Sequence, residues 1–230
     1  PVFLIGAHME ELLFDRIRMK ISDAQFRVST DSMVLADFCR IRPGGRVLDL
    51  GCGCGTLGLL LLGADETLRV SGIEIQEAAA RQAQENAEEN GFSAHMHIIC
   101  GDLRQAHAQI APGTFDYVLS NPPYYPPKSG YLHAQDSLCA ARSEICCPFD
   151  ALCAAAARAL RWGGRFFLVH KPERLVDLLT GLRAARLEPK RIRFVRHRAE
   201  TAVNLVLIES RLGGGPGLQY EPDLIRSEER

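Results

Sequence analysis

The stretch DYVLSNPPYYPP, Asp116 to Pro127, sets one asparagine, Asn121, between an apolar run and four prolines. Proline lacks an N–H and fixes φ, and a residue that precedes proline is held extended. The loop is therefore stiff, and the Pro122 carbonyl has no helix to serve. Such a loop can aim two hydrogen-bond acceptors, the Asn121 side-chain oxygen and the Pro122 carbonyl, at the two N–H bonds of a planar amino group. That pair would favour a pyramidal nitrogen and stabilise the positive charge developing on it. Tyr124 would stack on the planar acceptor. Read alone, the same residues also make a plain proline-rich turn.

A second signal lies upstream in VLDLGCGCGTLGL, Val47 to Leu59. Asp49 and Leu50 close a strand-like run, Gly51, Gly53 and Gly55 form a turn, and a helix begins near Thr56. Glycines let a ligand approach the backbone at the C-terminal end of a parallel sheet. The pattern is D-x-G-x-G-x-G rather than the G-x-G-x-x-G of dinucleotide sites, so nothing points to a diphosphate. Glu74, in SGIEI, ends the next strand at about the spacing at which an acid reaches ribose hydroxyls. Asp102, in ICGDL, ends the third; Gly-Asp is also ordinary turn chemistry.

The elements that must position these residues alternate. Strands are expected at Gly45 to Leu50, Leu68 to Ile75, His95 to Asp102, Phe115 to Ser120 and Arg165 to Lys171. Helices are expected at Thr56 to Gly63, Gln76 to Gly91, Asp150 to Gly164 with Asp150 as N-cap, and Pro172 to Leu187. RIRFVRHR and Ala202 to Ser210 follow with no helix between them, as an antiparallel closing pair. This order implies an α/β fold with a mostly parallel sheet covered on both faces and an antiparallel C-terminal strand pair. Residues 1–44 form an N-terminal extension expected to pack near the cofactor site, and 45–212 the main domain. Residues 213–230 form a Gly/Pro-rich, charged tail that is expected to be mobile.

The chain of 230 residues is 47% hydrophobic, enough for one core, and its formal net charge of -1 gives no global pull toward nucleic acid or membrane. Its 8 cysteines form no C-x-x-C pair, so no metal site is expected. No secretory leader is evident, which suggests a reducing cytosol, and no apolar run reaches the ~18–20 residues that span a bilayer. KRIRFVRHR, Lys190 to Arg198, gathers five cations without an acid. It reads equally as an RNA-phosphate contact or as a solvated edge strand. Thr30, Asp31 and Ser32 read either as a helix N-cap cluster or as part of a lid beside the cofactor. No histidine is assigned a role.

The glycine turn with Glu74 and Asp102 resembles class I S-adenosylmethionine methyltransferases, which implies a Rossmann-like seven-stranded sheet and S-adenosylmethionine as cofactor. The resemblance implies that Asp49, Gly51, Gly53, Gly55, Glu74, Ile75, Asp102, Leu103 and Asn121 surround that cofactor. Asn-Pro-Pro-Tyr resembles the amino-methyltransferase motif shared by adenine-N6 enzymes and release-factor glutamine-N5 enzymes. FRVSTDSMVLADF (Phe26 to Phe38), ARSEI (Ala141 to Ile145), VHKPERLVDLL and EPKRIRFVRH are similar to the bacterial family that methylates adenine N6 next to the anticodon of valine tRNA. That likeness implies Asn121, Pro122 and Tyr124 as catalytic residues and a tRNA or other structured RNA as partner. The enzyme is expected to be cytoplasmic, and in the long stretch after the motif, which either closes over the acceptor or is disordered in the free enzyme, Tyr124, Tyr125, Lys128 and Tyr131 offer contacts to an exposed base. A release-factor glutamine, another RNA or a small molecule remains as an alternative acceptor, and the oligomeric state is open.

Overall fold

Apolar residues crowd the central strands on both faces, the pattern expected when helices cover both sides of a parallel sheet. The computed structural model describes residues 2–5, 8–13, 17–21, 30–123 and 148–226. The N-terminal segment contributes β1 (Val2–Ile5), β2 (His8–Leu13) and β3 (Ile17–Ile21), then α1 (Thr30–Phe38). The main run is β4 (Arg46–Leu50), α2 (Thr56–Ala64), β5 (Arg69–Glu74), α3 (Glu77–Glu89), β6 (Met96–Cys100) and β7 (Phe115–Ser120). It continues with α4 (Phe149–Ala159), β8 (Leu160–His170), α5 (Leu175–Ala184), β9 (Leu187–Arg196), β10 (Val203–Leu212) and β11 (Gln219–Ile225).

Eight strands form one sheet in the order β11-β9-β10-β8-β7-β4-β5-β6. The strands β8, β7, β4, β5 and β6 run parallel, and β10 is antiparallel to both β8 and β9. The chain winds outward from β4 to β6 and then returns to β7 on the other side of β4. That reversal leaves a crevice at the C-terminal ends of β4 and β7, where open α/β sheets bind ligands. Side chains alternate between the two cores. Val47, Tyr117, Leu119, Phe167 and Leu207 meet α1 and α2, whereas Leu48, Val118, Phe166, Leu168 and Ile208 meet α4 and α5. Among the described residues no helix is long and apolar enough to cross a membrane.

Several expectations need correction. The sheet has eight strands rather than seven, because the tail expected to be mobile forms β11, parallel to β9. The cations of β9 draw it in. Arg196 Nε lies 2.6 Å from Asp223 Oδ2, Arg193 Nε donates to the Pro222 carbonyl at 3.1 Å, and Lys190 Nζ donates to the Gly215 carbonyl at 3.0 Å. Pro222 falls at a register shift on this edge strand, where a missing N–H is tolerated. Strands β9 and β10 are therefore internal to the sheet rather than its closing edge.

The helix expected through Gly164 stops at Ala159, because Leu160 is extended and starts β8, pairing with Phe115. Its N-cap is Pro148 rather than Asp150. The helix expected from Pro172 begins as a 3-10 turn, becomes α-helical at Leu175 and ends at Ala184, and Leu187 already belongs to β9. The three-stranded antiparallel sheet β1-β2-β3 had no counterpart in the sequence reading. Asn86 of α3 and Asn90, which caps that helix, hold its edge. The Asn86 Oδ1 accepts the Lys20 N–H at 2.9 Å, and the Asn90 Oδ1 accepts the Arg18 N–H at 2.9 Å.

Candidate active site

The glycine turn needs its glycines. Gly51, Gly53 and Gly55 have φ of 77°, 54° and 89°, a left-handed region that other residues enter only with strain. A Cβ on Gly55 would meet Met96 Cε at 2.9 Å, so this glycine also permits close packing of α2. A Cβ on Gly51 or Gly53 would meet nothing within 4 Å, so the outer face of the turn is open to a ligand. Cys52 and Cys54 are buried, and the Cys52 Sγ lies 2.6 Å from where a Cβ on Gly72 would sit. Gly72 is thus part of the cradle. The sequence reading passed over it because its partner is a cysteine 20 residues away, on the neighbouring strand.

Glu74 ends β5 and braces the turn. Its Oε2 accepts the Gly53 N–H and its Oε1 the Gln76 N–H, both at 2.9 Å. Ile75, beside it, is exposed. Asp49 is 1% exposed, and neither carboxylate oxygen has a hydrogen-bond partner among the described residues. Burial, with a smaller contribution from the Glu74 charge, pushes its pKa up to about 7. A carboxylate so buried and unpaired, two residues before the turn, would be stabilised in its charged form by a nearby cation. Asp102 accepts the Arg104 backbone N–H at 2.9 Å and the Arg104 guanidinium on both oxygens. That guanidinium holds its carboxyl below the usual range. Leu103 lines a cleft of about 230 Å³ together with Leu50, Arg104, Ile110 and Ala155.

Asn121 and Pro122 follow β7 directly and are half-buried. The Ser120 hydroxyl donates to the Leu50 carbonyl at 2.8 Å, so the residue before Asn121 is tied to the residue before Gly51. The Asn121 Nδ2 donates to Ser32 Oγ of α1 at 3.0 Å. The structure thus brings Asp49, the three glycines, Glu74, Asn121 and Pro122 to one edge of the sheet. Tyr124, Tyr125, Lys128, Tyr131 and ARSEI lie outside the described residues. His170 ends β8 on the same edge, and burial pushes its pKa down to about 4, so the ring is neutral.

The basic run does not form one exposed patch. Arg191 is 4% exposed, its Nη2 donates to the Phe38 carbonyl at 2.5 Å, and its guanidinium lies over the Phe38 ring at 4.0 Å. Its Nε is 2.9 Å from Glu209 Oε2, a charge contact without hydrogen-bond geometry, and Nη1 is 3.1 Å from Glu221. It is an internal tie between α1, β10 and β11 rather than a phosphate contact.

A glycine-turned strand end, a braced acid on the next strand and an Asn-Pro-Pro loop at the switch point together define a class I methyltransferase fold. A solved structure described as a predicted O-methyltransferase from Agrobacterium tumefaciens superposes with TM-score 0.70 at 22% identity, over 85% of this chain and 86% of that one. The geranyl diphosphate C-methyltransferase of Streptomyces coelicolor, solved with S-adenosyl-L-homocysteine, gives 0.59 at 14% identity, over 80% and 77%. These likenesses bear on fold alone. The Methyltransferase small domain family matches residues 24–180. The protein named tRNA1(Val) (adenine(37)-N6)-methyltransferase of Porphyromonas gingivalis is 32% identical, over 94% of this chain and 92% of its own. The protein of the same name from Dickeya chrysanthemi is 33% identical, over 82% and 74%. That of Proteus mirabilis is 40% identical over 104 residues, 45% of this chain and 41% of its own. The chain belongs to the methyltransferase small domain family, and within it to the group that carries this name.

Proposed function

We propose that the chain transfers the methyl group of S-adenosylmethionine to the exocyclic N6 amine of an adenine in tRNA, beside the anticodon. The observation that carries this reading is the placement of Asn121-Pro122 at the glycine-turn edge, with Ser120 bonded to the Leu50 carbonyl. The relatives' name supplies the acceptor. A tRNA substrate puts the reaction in the cytoplasm.

The residues present fit the cofactor. The open face at Gly51 and Gly53 admits it, Glu74 is set to take ribose hydroxyls, and Leu103 with Asp102 flanks the place for its adenine. The unpaired Asp49 carboxylate offers charge to a cationic ligand. When bound, S-adenosylmethionine supplies an electrophilic methyl on a sulfonium. Asn121 Oδ1 and the Pro122 carbonyl accept the two acceptor N–H bonds and orient the nitrogen lone pair toward that methyl. No base is needed before transfer, because the nitrogen sheds its proton to solvent once it is cationic. Tyr124, next along the chain, is assigned to stack on the base.

Cofactor affinity should depend on pH through Asp49. Its folded-state pKa of about 7 exceeds the ordinary 3.8, so the free protein favours the protonated carboxyl. Stability from this group is complete below pH 3.8 and is lost as pH rises through about 7. A cationic ligand favours the ionised form, so binding should tighten about fivefold between pH 6 and pH 7 with release of a proton. Calorimetric titration with S-adenosylmethionine checks this; Asp49→Asn should remove the dependence.

The acceptor class is tested by offering labelled S-adenosylmethionine together with unmodified tRNA and a purified release factor. Label in the tRNA fraction is expected. Label in the release factor alone would move the reading to glutamine-N5 transfer.

A further inference from the structure

We propose that Ser32 is a positioning residue for methyl transfer, holding the Asn121 amide in the orientation that leaves its Oδ1 for the acceptor; the inference rests on the role proposed for Asn121. The Asn121 Nδ2 donates to Ser32 Oγ at 3.0 Å across 89 positions of sequence. Ser32 is 7% exposed and sits in the first turn of α1.

The two ends of a carboxamide are nearly identical in shape but opposite in hydrogen-bonding sense. Only Oδ1 can accept an acceptor N–H. Turned over, Asn121 would present NH2 to NH2, and the amine would lose one of the two acceptors that stabilise its developing charge. In the structure the Ser32 oxygen takes an Nδ2 proton, which leaves Oδ1 at the opposite end and holds the amide against rotation.

Both partners are held by rigid surroundings. Ser120 ties the main chain before Asn121 to β4 at the Leu50 carbonyl. Helix α1 is anchored by fully buried Leu35 and by Phe38, which packs edge-on against Phe167 at 6.3 Å. Arg191 takes the Phe38 carbonyl at the far end of the helix. A side chain placed by three elements can fix an amide that a loop alone would leave to rotate.

The test is a double-mutant cycle of Ser32→Ala and Asn121→Ala, read by single-turnover methyl transfer into tRNA, cofactor titration and thermal melting. Ser32→Ala should lower the transfer rate about 3- to 10-fold, the effect of one net hydrogen bond. Cofactor and tRNA affinities should stay unchanged. Ser32→Thr, which keeps the hydroxyl, should restore the rate. In the Asn121→Ala background, Ser32→Ala should cost nothing further, since there is no amide left to orient. An equal loss in both backgrounds would mean that Ser32 only supports the fold and would overturn the inference. A parental rate for Ser32→Ala beside a slow Asn121→Ala would overturn it too, leaving Asn121 in its role. A parental rate for Asn121→Ala would remove the premise instead.

Discussion

Asn121→Ala is expected to lower kcat for methyl transfer by at least ~10²-fold, the loss typical of one preorganised polar contact to a charge that develops in the transition state. Affinity for S-adenosylmethionine should be nearly unchanged. The proposed cofactor cradle centres on the β4 and β5 ends, where Glu74 holds the Gly53 N–H, and the Asn121 amide is assigned chiefly to the acceptor. The fold should also survive, because Ser120 still bonds to Leu50 and Asn121 is only half-buried. Asn121→Asp is a useful companion. It keeps an acceptor oxygen but replaces the Nδ2 donor with a second acceptor, which sets oxygen against the Ser32 hydroxyl oxygen unless that hydroxyl turns to donate. Kinetics at saturating tRNA, with cofactor titration on the same samples, separates the two effects. Loss of cofactor binding in Asn121→Ala would show that the residue belongs to the cradle instead.

Arg191→Ala is expected to cost about 3 kcal/mol of stability, the low end of the range for removing one partner of a buried ion pair. The low end applies because both carboxylates keep a second cation: Glu209 has Arg165 Nη1 at 2.7 Å, and Glu221 has Arg40 Nη2 at 2.7 Å. The loss also strips the Phe38 carbonyl of its guanidinium donor and the Phe38 ring of its cation. For a domain of this size the melting temperature should fall by roughly 6–12 °C. Lysine should not rescue it, because an ammonium cannot reproduce the planar fork. Replacing the exposed Arg198 should change stability by no more than about 0.5 kcal/mol. Thermal melts of the variants decide the matter. An unchanged melting temperature for Arg191→Ala, with weaker tRNA binding, would return Arg191 to the phosphate-contact role that its sequence suggests.

The sequence was most legible where one local signal decided the structure. The Ala-rich α3 with its Asn-Gly stop, the apolar run of β7 and the Gly-x-Gly-x-Gly turn all stand close to their expected places. Reading failed where distant partners decided. Leu160 to Gly164 look helical from the alanines before them, yet Leu160 pairs with Phe115 of β7 and residues 161–164 fall in a register shift within β8. The tail looks mobile from its glycines and charges, yet Arg191 and Arg196 of β9 pair with its Glu221 and Asp223. Arg191 looks like the other cations of its run, and only the fold reveals the Phe38 carbonyl and Glu209 beside it. At the site, Asn121 and Glu74 announced themselves through motif and spacing. Ser32 was noticed only as a helix-cap or lid residue, because its hydrogen bond to Asn121 joins positions that nothing in the linear chain relates.

The most direct measurement is nucleoside mass spectrometry of unmodified tRNA treated with the protein and labelled S-adenosylmethionine, resolving N6-methyladenosine from isomers methylated on a ring atom. The roles proposed for Asn121 and Pro122 predict N6-methyladenosine as the labelled product, and a parallel reaction with Asn121→Ala should form it at least ~10²-fold more slowly. Label on a ring nitrogen or carbon of adenine, or N6-methyladenosine formed equally fast by both proteins, would contradict the account.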